Sequence, residues 1–386
     1  MEVKQIHEIV NSITGEVTGK TDLVAEDLSN IVDVGTEVLG ATSVDNYVHK
    51  LVDRIGRVVF VNRPYSGSVP SVLKDGWEYG SILEKITMDS LPEAQENDSW
   101  NLTKGQSYDP NVFYQPEVSA KFFNEKKTFE IPMSFTEDQV KESFTDVTQL
   151  NGFMSMIYTG IETSMTVKVD SLIMRTIVSM IGDTIHADIP ESANYSTTSG
   201  VKAVNLLYLY NQKFGGQLTK EAALTNPEFI RFASYVIALY RNRFTRVSKL
   251  FNIGGKDRFT ATENITTVLL NEFAQASGMY LNSETFHDDY VKLPTTEVVP
   301  YWQGSGLTYG FDKTSKIDVT TGGKNKITID GIIGVMFDKN AVGVYNSNKR
   351  VTSNYNPKAE FINNYYKWDS NYFNDFNENF VVFFVQ

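Results

Sequence analysis

The sequence predicts an α+β fold in which one very long helix accompanies shorter helices and several strands. Three observations carry this prediction. Residues 136–181 contain no proline and only two glycines. Further helical patterns follow that stretch, and the last 60 residues turn to β-branched and aromatic runs that are typical of strands. Helices and strands together in these separate regions indicate the α+β class.

The long helix has two start signals. Thr136 is followed three residues later by Gln139, a pair whose side chains can each bond the other's backbone N–H, and Asp146 is followed by Gln149. Beyond them, apolar residues recur at steps of three and four. They are Leu150, Phe153, Ile157, Ile161, Met165, Val169, Leu172, Ile173, Ile177 and Met180. A helix over 146–181 is roughly 50 Å long, about three times the length of an ordinary helix. Such a long helix is typical of a structural strut, so we predict a structural subunit as the first interpretation and an enzyme as the second.

Composition narrows the class of protein. The chain has 386 residues, of which 41% are hydrophobic and 21% charged, so it has enough apolar residues to fold. The formal net charge of −12 argues against nucleic-acid binding through bulk electrostatics. The absence of cysteine excludes disulfides, thiolate metal sites and cysteine nucleophiles. The first residues show no secretory signal, and no apolar run approaches a membrane span, so we expect no membrane association.

The first half of the chain contains two weakly patterned regions. Residues 1–50 look like an arm, with short amphipathic pieces at 3–13 and 28–39 that must pack on their own chain or on a neighbouring subunit. The end of the run 51–60 looks like a strand. From 62 to 130, prolines and glycines leave only strand candidates at 82–88 and 120–129. This stretch is too long for a plain loop and predicts a projecting hairpin, with 121–131 as its returning strand.

The region after the long helix predicts several further elements. A boundary is expected where Gly182–Asp183 end the long helix and the Ser- and Thr-rich stretch Ser192–Gly200 follows. Three helices and three strands follow, with a turn between the first two strands. The helices are expected at 201–214, 225–250 and 264–279, and the strands at 326–337, 341–345 and 380–385. The Tyr- and Asn-rich segment 354–379 is equally compatible with burial in the core of the chain and with burial in an interface between subunits.

Motifs that could carry chemistry are weak. Residues 15–21 resemble a phosphate-binding loop but have three residues between the glycines where four are needed, so they are interpreted as a linker. The four histidines, His7, His49, His186 and His287, lie far apart, and His287–Asp289 has no second ligand nearby, which favours a solvated loop. The arginines of 241–246 could contact a phosphate or a partner's carboxylate, or form a solvated helix end. We therefore predict no catalytic, cofactor-binding or metal-binding residue and no cofactor.

The order of these parts along the chain resembles that of a known protein family: an arm, a projecting hairpin, a long helix, a mixed region and C-terminal strands. Three sequence segments add to the resemblance. Residues 51–59, 331–339 and the aromatic tail are similar to parts of the major capsid proteins of tailed bacteriophages, with the Hong Kong 97-type (HK97-like) fold, and the first of these segments points to small short-tailed phages. The resemblance implies five regions. They are an N-arm at 1–58, an E-loop with flanking strands at 59–135, the spine helix of a peripheral domain at 136–182, an axial domain at 183–350, and C-terminal strands at 351–386 that return to the peripheral domain.

The resemblance also implies a function. Such a chain would assemble with itself, through the N-arm and the E-loop, into pentamers and hexamers of an icosahedral capsid. It would hold double-stranded DNA non-specifically against an acidic inner face. Scaffolding and portal proteins would be its other partners, and the virion, assembled in the host cytoplasm, its location. Apolar residues of the projecting hairpin within 62–130, called the excursion below, would be buried on the adjacent subunit, as would those of the arm. In the excursion they are Phe113, Tyr114, Phe122 and Phe123. The alternatives are an encapsulin-like compartment shell and a soluble enzyme of unknown chemistry.

Overall fold

The computed structural model describes most of the chain. The described residues are 3–20, 23–41, 50, 69–74, 83–88, 94, 96, 103–105, 107, 111–115, 117–143, 145–190, 193–282, 297–302, 314–321 and 326–386. They form two compact units. The first comprises Met1–Ser81, Lys126–Leu172 and Val344–Asn371, and the second comprises Ile82–Glu125, Ile173–Gly343 and Tyr372–Gln386. None of the helices in the described part combines the length and the apolar character that crossing a membrane requires.

Helices and strands are both abundant. The helices are α1 Val3–Thr18, α2 Ile31–Ala41, α3 Glu137–Ser143, α4 Val147–Asp188, α5 Leu206–Phe214, α6 Lys220–Ala223, α7 Pro227–Phe244 and α8 Asn271–Asn282. The strands are β1 Leu73–Lys74, β2 Leu83–Met88, β3 Val118–Phe123, β4 Lys126–Thr136, β5 Ala203–Asn205, β6 Ile265–Leu270, β7 Glu297–Val299, β8 Ile317–Thr320, β9 Lys326–Ile329, β10 Ile332–Asp338, β11 Val342–Asn356, β12 Phe361–Asn374 and β13 Phe380–Phe384. The predicted strand within 51–60 lies outside the described residues.

The N-terminal arm forms α1 and α2, and it packs within its own chain. His7 Nε2 lies 3.0 Å from the backbone oxygen of Val24, and Asn30 bonds the backbone oxygen of Leu23 at 2.7 Å. Nine apolar side chains of α1, α2 and the segment that joins them are at most 5% exposed. They are Ile6, Ile9, Val10, Ile13, Val24, Leu28, Ile31, Val34 and Val38. The expectation from the resemblance that the arm's apolar residues are buried on the adjacent subunit is therefore wrong for these nine, which are buried within the chain.

The start and the buried face of the long helix were predicted correctly, and the Thr136–Gln139 pair forms as predicted. Thr136 N donates to Gln139 Oε1 at 3.2 Å, and Gln139 N donates to Thr136 Oγ1 at 3.3 Å. Asp146 accepts from Thr148 N at 3.1 Å, directly before α4 begins. Nine of the ten predicted apolar positions are buried, and Phe153 is half-buried. At 42 residues, α4 is about 63 Å long.

The end of the long helix lies later than predicted, because Gly182 does not terminate it. The helix continues to Asp188, whose carboxylate accepts from the backbone N–H groups of Lys202 and Ala203 at 2.7 and 2.9 Å. A Cβ at position 182 would overlap the side chain of Val319 on β8. Gly182 is therefore a point of close approach, where the strand lies against the helix and no side chain fits.

This close approach gives a prediction for substitution of Gly182. Gly182→Ala is expected to lower the free energy of unfolding by about 1–3 kcal/mol, because the added methyl overpacks against a stiff valine. Gly152→Ala in the same helix is the control. A Cβ there meets nothing within 4 Å, so the same change should stabilise the chain by about 0.5–1 kcal/mol. Urea unfolding of both variants checks the contrast, and equal effects at the two sites would contradict it.

The first unit contains a four-stranded sheet in the order β1-β11-β12-β4. Strand β12 pairs antiparallel with β4 from Phe361↔Thr136 to Asn371↔Lys126. Its side chains include the buried Tyr366 and Trp368, so the Tyr- and Asn-rich segment serves as core in this part. The predicted returning strand 121–131 is in fact two strands, because Asn124 and Glu125 lie outside the pairing of both β3 and β4.

A buried carboxylate, Asp369, stabilises this sheet. The side chain is 1% exposed and accepts from Thr128 Oγ1 at 2.6 Å, Lys126 Nζ at 2.8 Å, Arg350 Nη1 at 3.1 Å and Asn348 Nδ2 at 3.2 Å. Burial alone would raise the pKa of this carboxyl, but the hydrogen bonds from these donors lower it well below the ordinary value of 3.8. The native state therefore favours the ionised form strongly.

The lowered pKa of Asp369 predicts an acid-sensitive sheet. Its stabilisation should be complete above the unfolded-chain pKa near 3.8 and lost as the pH falls below that value toward the folded pKa. Asp369→Asn is expected to lower the free energy of unfolding by about 3 kcal/mol at pH 7. The difference from wild type should shrink below about pH 4. Asp318→Asn, at an exposed ion pair with Lys326, is the control, with an effect under about 1 kcal/mol. Urea midpoints that show a pH-independent loss for Asp369→Asn would refute this account.

The second unit contains a five-stranded mixed sheet in the order β5-β13-β10-β6-β7. Strand β13 lies inside it, antiparallel to β10 and parallel to β5, and is buried over its whole length, as its apolar sequence predicted. Residues of α5, α7 and α8 pack against Leu269, Met336 and Phe383 in one hydrophobic core. A separate two-stranded sheet joins β8 and β9.

Four predicted elements of the second unit need correction. The helix expected at 225–250 ends at Phe244, before the Ser248–Arg258 bridge. The helix expected at 201–214 begins only at Leu206, because Asn205 caps it by accepting from Tyr208 N at 3.1 Å and the residues before it form β5. The helix expected at 264–279 is strand β6 followed by α8, since β-branched residues at 265–268 favour a central strand. The strand expected at 326–337 is divided at Gly331, whose φ of +75° turns the chain between β9 and β10.

Candidate intersubunit surface

Strands β2 and β3 form an antiparallel two-stranded ribbon, called the ribbon below. The register pairs Lys85 with Lys121 and Met88 with Val118. Because side chains alternate along each strand, Lys85 and Lys121 share one face, and the residues flanking them share the other. Two lysines directly opposite each other repel, so this face requires a nearby anion.

The anions that the lysines require come from the chain's C-terminal segment. Lys85 Nζ lies 2.7 Å from Asp375 Oδ2 and 2.6 Å from Glu378 Oε1, and Lys121 Nζ lies 3.2 Å from Asp375 Oδ1. Asp375 is 1% exposed and also accepts from Asn377 N at 3.1 Å. This cluster attaches one face of the ribbon to the second unit through buried charge-assisted hydrogen bonds.

The pKa shifts within the cluster follow from burial and from Lys85. Burial favours the neutral amine of Lys85, but the charges and hydrogen bonds of Asp375 and Glu378 outweigh it and raise the pKa of Lys85. Burial would raise the pKa of Asp375, yet the charge of Lys85 lowers it overall. Burial raises the pKa of Glu378, and the hydrogen bond from Lys85 offsets only part of that rise. Lys85 therefore holds two carboxylates, of which Glu378 is the easier to protonate.

The opposite face of the ribbon is exposed and mostly apolar. Ile86 is 65% exposed and Phe122 60%, and both lie on the face that points away from Lys85 and Lys121. Val118 and Met88, which pair with each other, are also exposed, and Ala120 opposite Ile86 and Glu84 opposite Phe122 complete the face. Most two-stranded ribbons turn the apolar face inward, and this one turns it outward because the cationic face is bound to buried carboxylates.

A second exposed apolar segment lies between the two strands in sequence. Phe113 and Tyr114 are each 82% exposed, and Val112 is half-exposed. The sequence-based prediction that the excursion does not bury Phe113, Tyr114 and Phe122 within one copy is thus confirmed for these three residues. Phe123 is different. It lies on the inner face of the ribbon, half-buried against Phe373 with ring centroids 5.0 Å apart.

The arrangement has no chemistry of its own and is suited to burial against another molecule. Large apolar side chains on a contiguous exposed surface are costly in water and are typical of protein–protein interfaces. The ribbon is held in place through its other face, so docking would require little ordering of the ribbon itself. The described outer-face residues therefore form a candidate intersubunit surface, called the outer face below. They are the apolar Ile86, Met88, Val118, Ala120 and Phe122, with Glu84 at one end.

The other residues singled out by sequence do not assemble into a site. His7 forms a hydrogen bond with the backbone oxygen of Val24 within the arm, and His186 lies in α4. His49 and His287 lie outside the described residues. Within the described ranges, no group of three or more His, Asp or Glu residues is placed to hold a metal ion. Residues 15–18 complete helix α1, and Gly19, with φ of +71°, ends it. The linker interpretation of 15–21 is therefore wrong for residues 15–19, because they form the end of a helix.

Sequence reasoning missed the ion-pair cluster. The alternation of Lys85 and Thr87 with Ile86 and Met88 was visible, but it indicates only that one face is polar. Nothing in the local pattern says that the polar face is the one bound to the body. The sequence feature that pointed to the cluster is the pair Asp375 and Glu378. These acidic residues lie in an aromatic segment with too few basic residues nearby to pair with them if they are buried.

Comparison with known proteins identifies relatives of the whole chain. A family model described as Phi29-like phage major capsid protein matches residues 6–384. The major capsid protein of Bacillus phage GA-1 is 27% identical over 173 residues, a match that covers 42% of this chain and 34% of that protein. The match thus spans about a third of the length of this relative.

Solved structures give a likeness of fold. A chain from the structure of head fiber and inner core protein gp22 of native bacteriophage P68 has a TM-score of 0.51 at 11% identity, covering 84% of this chain and 86% of that chain. A chain from the capsid structure of Staphylococcus phage Andhra has a TM-score of 0.48 at 9% identity, covering 82% of this chain and 83% of that chain. At such low identity, the first likeness concerns the fold alone.

Proposed function

Because the chain belongs to the Phi29-like phage major capsid protein family, we propose that its copies form the pentamers and hexamers of an icosahedral head that encloses double-stranded DNA. The observation that carries the assembly part of this proposal is the outer face. It exposes large apolar side chains, such as Ile86 and Phe122, on a ribbon fixed through its opposite side. In a closed shell, each copy has neighbours on which that face can be buried.

The proposal assigns HK97-type roles to the parts of the chain. The ribbon and the segment around Phe113 would be the E-loop, within 59–135, and α4 would contain the spine helix, within 136–182. The five-stranded sheet and its helices would belong to the axial domain, 183–350. Of the strands predicted at 351–386 to return to the peripheral domain, β12 would do so, whereas β13 pairs with β5 and β10 inside the five-stranded sheet. These boundaries stay a prediction.

The arm, 1–58, takes a smaller part in this proposal than the sequence suggested. Its described helices bury their apolar stripes within the chain, and Val32, at 49% exposed, is the large apolar residue that they leave outward. Contacts between copies would therefore depend mainly on the outer face.

Packaged DNA, scaffolding protein and portal protein complete the proposed set of partners. DNA would lie non-specifically along the inner face of the head, where a chain of net charge −12 repels phosphates and so lets the genome move in and out. Assembly would take place in the host cytoplasm, and the finished chain would be part of the virion. Membership in a family of structural proteins supports the expectation that the chain is not an enzyme.

Particle formation tests the proposal directly. The full chain, alone and co-expressed with a scaffolding protein of a related phage, would be separated by sedimentation and imaged by negative-stain microscopy. Closed shells with fivefold and sixfold capsomers are the expected result. A chain that stays monomeric or dimeric at every concentration, with and without scaffold, would refute the shell proposal. Shells that enclose a protein cargo and exclude DNA would favour the encapsulin-like alternative.

A further inference from the structure

A short hairpin follows α7, and its backbone is firmly held. Ser248 and Arg258 exchange backbone hydrogen bonds of 2.9 and 3.2 Å, and the side chain of Asn252 bonds both the N–H and the oxygen of Lys256 at 2.8 and 2.7 Å. Phe251 is buried in the core of the second unit. Residues 245–260, called the basic hairpin below, therefore have one defined conformation.

The basic hairpin exposes apolar side chains although it is well anchored. Val247 is 52% exposed, and Leu250 and Phe259 are each 58% exposed. Val247 and Phe259 lie one residue outside the Ser248–Arg258 bridge on the two strands, so they are neighbours across the hairpin. Val247 and Phe259 are exposed side by side, and Leu250 is exposed on the same anchored segment. Large apolar side chains exposed on an anchored segment are typical of an interface.

Cations surround these apolar residues. The basic hairpin, 245–260, holds four basic residues and one acidic residue, so it has a surplus of three positive charges. Since the whole chain has a net charge of −12, the rest of the chain carries −15. Arg243 lies over the ring of Tyr240 at 5.4 Å, and Lys249, 60% exposed, lies 3.4 Å from Asp257. Arg246 is exposed on the same segment.

We propose that the basic hairpin docks on a carboxylate-rich surface of a second copy of this chain. The inference rests on the proposed shell function and names a second contact for it. Apolar residues at the centre with cations around them match the core-and-rim organisation of protein interfaces. A phosphate backbone would use the cations but would gain nothing from Val247 or Leu250. Another copy of this chain supplies the acidic surface in excess, and opposite charges bring such partners together.

The basic hairpin is also connected to the ribbon. Arg258 Nη1 donates to the backbone oxygen of Met88 at 3.3 Å, and Arg258 Nε lies 3.9 Å from Glu378. Both apolar surfaces therefore belong to one anchored substructure of the second unit.

Charge reversal tests this inference. Arg246→Glu with Lys249→Glu should assemble more slowly than wild type by on the order of tenfold at about 50 mM NaCl. The rates should converge near about 500 mM NaCl, where screening removes the electrostatic contribution. Lys20→Glu with Lys326→Glu is the matched control, because it makes the same change in net charge at exposed lysines outside the hairpin. Light scattering follows assembly, and circular dichroism checks folding. If the reversed variant folds poorly, Arg246→Gln with Lys249→Gln should give a smaller slowing with the same salt dependence.

Two results would overturn the inference while leaving the shell proposal intact. In the first, the hairpin variants assemble at the same rate as the control at every salt concentration. In the second, the variants form empty shells normally, but their filled heads release DNA at a different salt concentration from wild type. The second result would show that the hairpin contacts nucleic acid. A wild-type chain that never forms shells would overturn the shell proposal first, and this inference with it.

Discussion

Replacing Ile86 and Phe122 together with lysine is expected to leave a folded subunit that no longer forms shells. Both side chains are more than half exposed on the outer face, so their removal should cost little stability in the single chain. In an interface, each would contribute about 1.5–3 kcal/mol by burial. Their joint loss would therefore weaken each contact by about 100-fold or more. Sedimentation and negative-stain imaging measure the shells, and the urea midpoint checks that the subunit remains folded.

Two controls test whether apolar burial at the ribbon is what drives assembly. Ile86→Val with Phe122→Leu keeps both positions apolar and should retain assembly. Val32→Lys replaces an exposed apolar residue of the arm and should also retain assembly, because nine of the arm's apolar side chains are buried within the chain. Complete shells from the double-lysine variant would disprove the assignment of the outer face. Loss of shells in Val32→Lys would restore the arm as a contact between copies.

Removing the charge of Lys85 is expected to be the most damaging single substitution to the ribbon. Lys85→Met would leave Asp375, 1% exposed, with Lys121 alone and Glu378 without its closest cation. Breaking a buried ion pair from one side costs about 3–5 kcal/mol. The free energy of unfolding should fall by that amount at neutral pH, as urea unfolding of the unassembled chain would measure.

The dependence of this loss on pH distinguishes unpaired charge from lost packing. Without Lys85, burial should raise the pKa of both carboxyls, so the destabilisation is present at neutral pH and is relieved as the pH falls through the raised values. Lys85→Arg keeps a cation and should retain most of the stability. Lys121→Met is a second control, because Lys121 is 37% exposed and Asp375 keeps Lys85. An equal loss for Lys85→Met at pH 7 and pH 4 would point to packing instead.

Deletion of the whole excursion would not separate a loss of assembly from a loss of folding, because it also removes part of the ion-pair cluster. On the E-loop assignment alone, a chain without residues 66–120 should fold but not assemble. Such a chain also lacks Lys85, so it leaves two carboxylates poorly paired in the second unit. Failure to assemble could then come from misfolding. The double-lysine variant avoids this ambiguity because it leaves the inner face of the ribbon intact.

Elements with local signals were predictable from the sequence. The capping pairs at Thr136 and Asp146 fixed the starts of α3 and α4, and an apolar step of three and four fixed the buried face of α4. The proline in the first turn of α7 and the apolar run of β13 were equally reliable. In each case the determining interaction lies within a few residues or depends on one continuous pattern.

Errors arose where distant residues decided the outcome. Gly182 looked like a helix end, but the approach of Val319, more than a hundred residues later, requires glycine inside the helix. Residues 264–270 suited a helix until their position between β10 and β7 made them a central strand. The arm's amphipathic pieces were compatible with a neighbour or with each other, and only packing decided between these alternatives.

The sequence by itself determined that this protein contains a long strut, a poorly patterned excursion with apolar residues it does not bury, and an acidic chain without catalytic motifs. It also carried the family resemblance. Only the tertiary structure decided which face of the ribbon is outward. An alternating strand has two faces, and local pattern favours burying the apolar one. Here two carboxylates near the C-terminus hold the lysine face instead, because a buried anion without a cation costs more than several apolar side chains left in water.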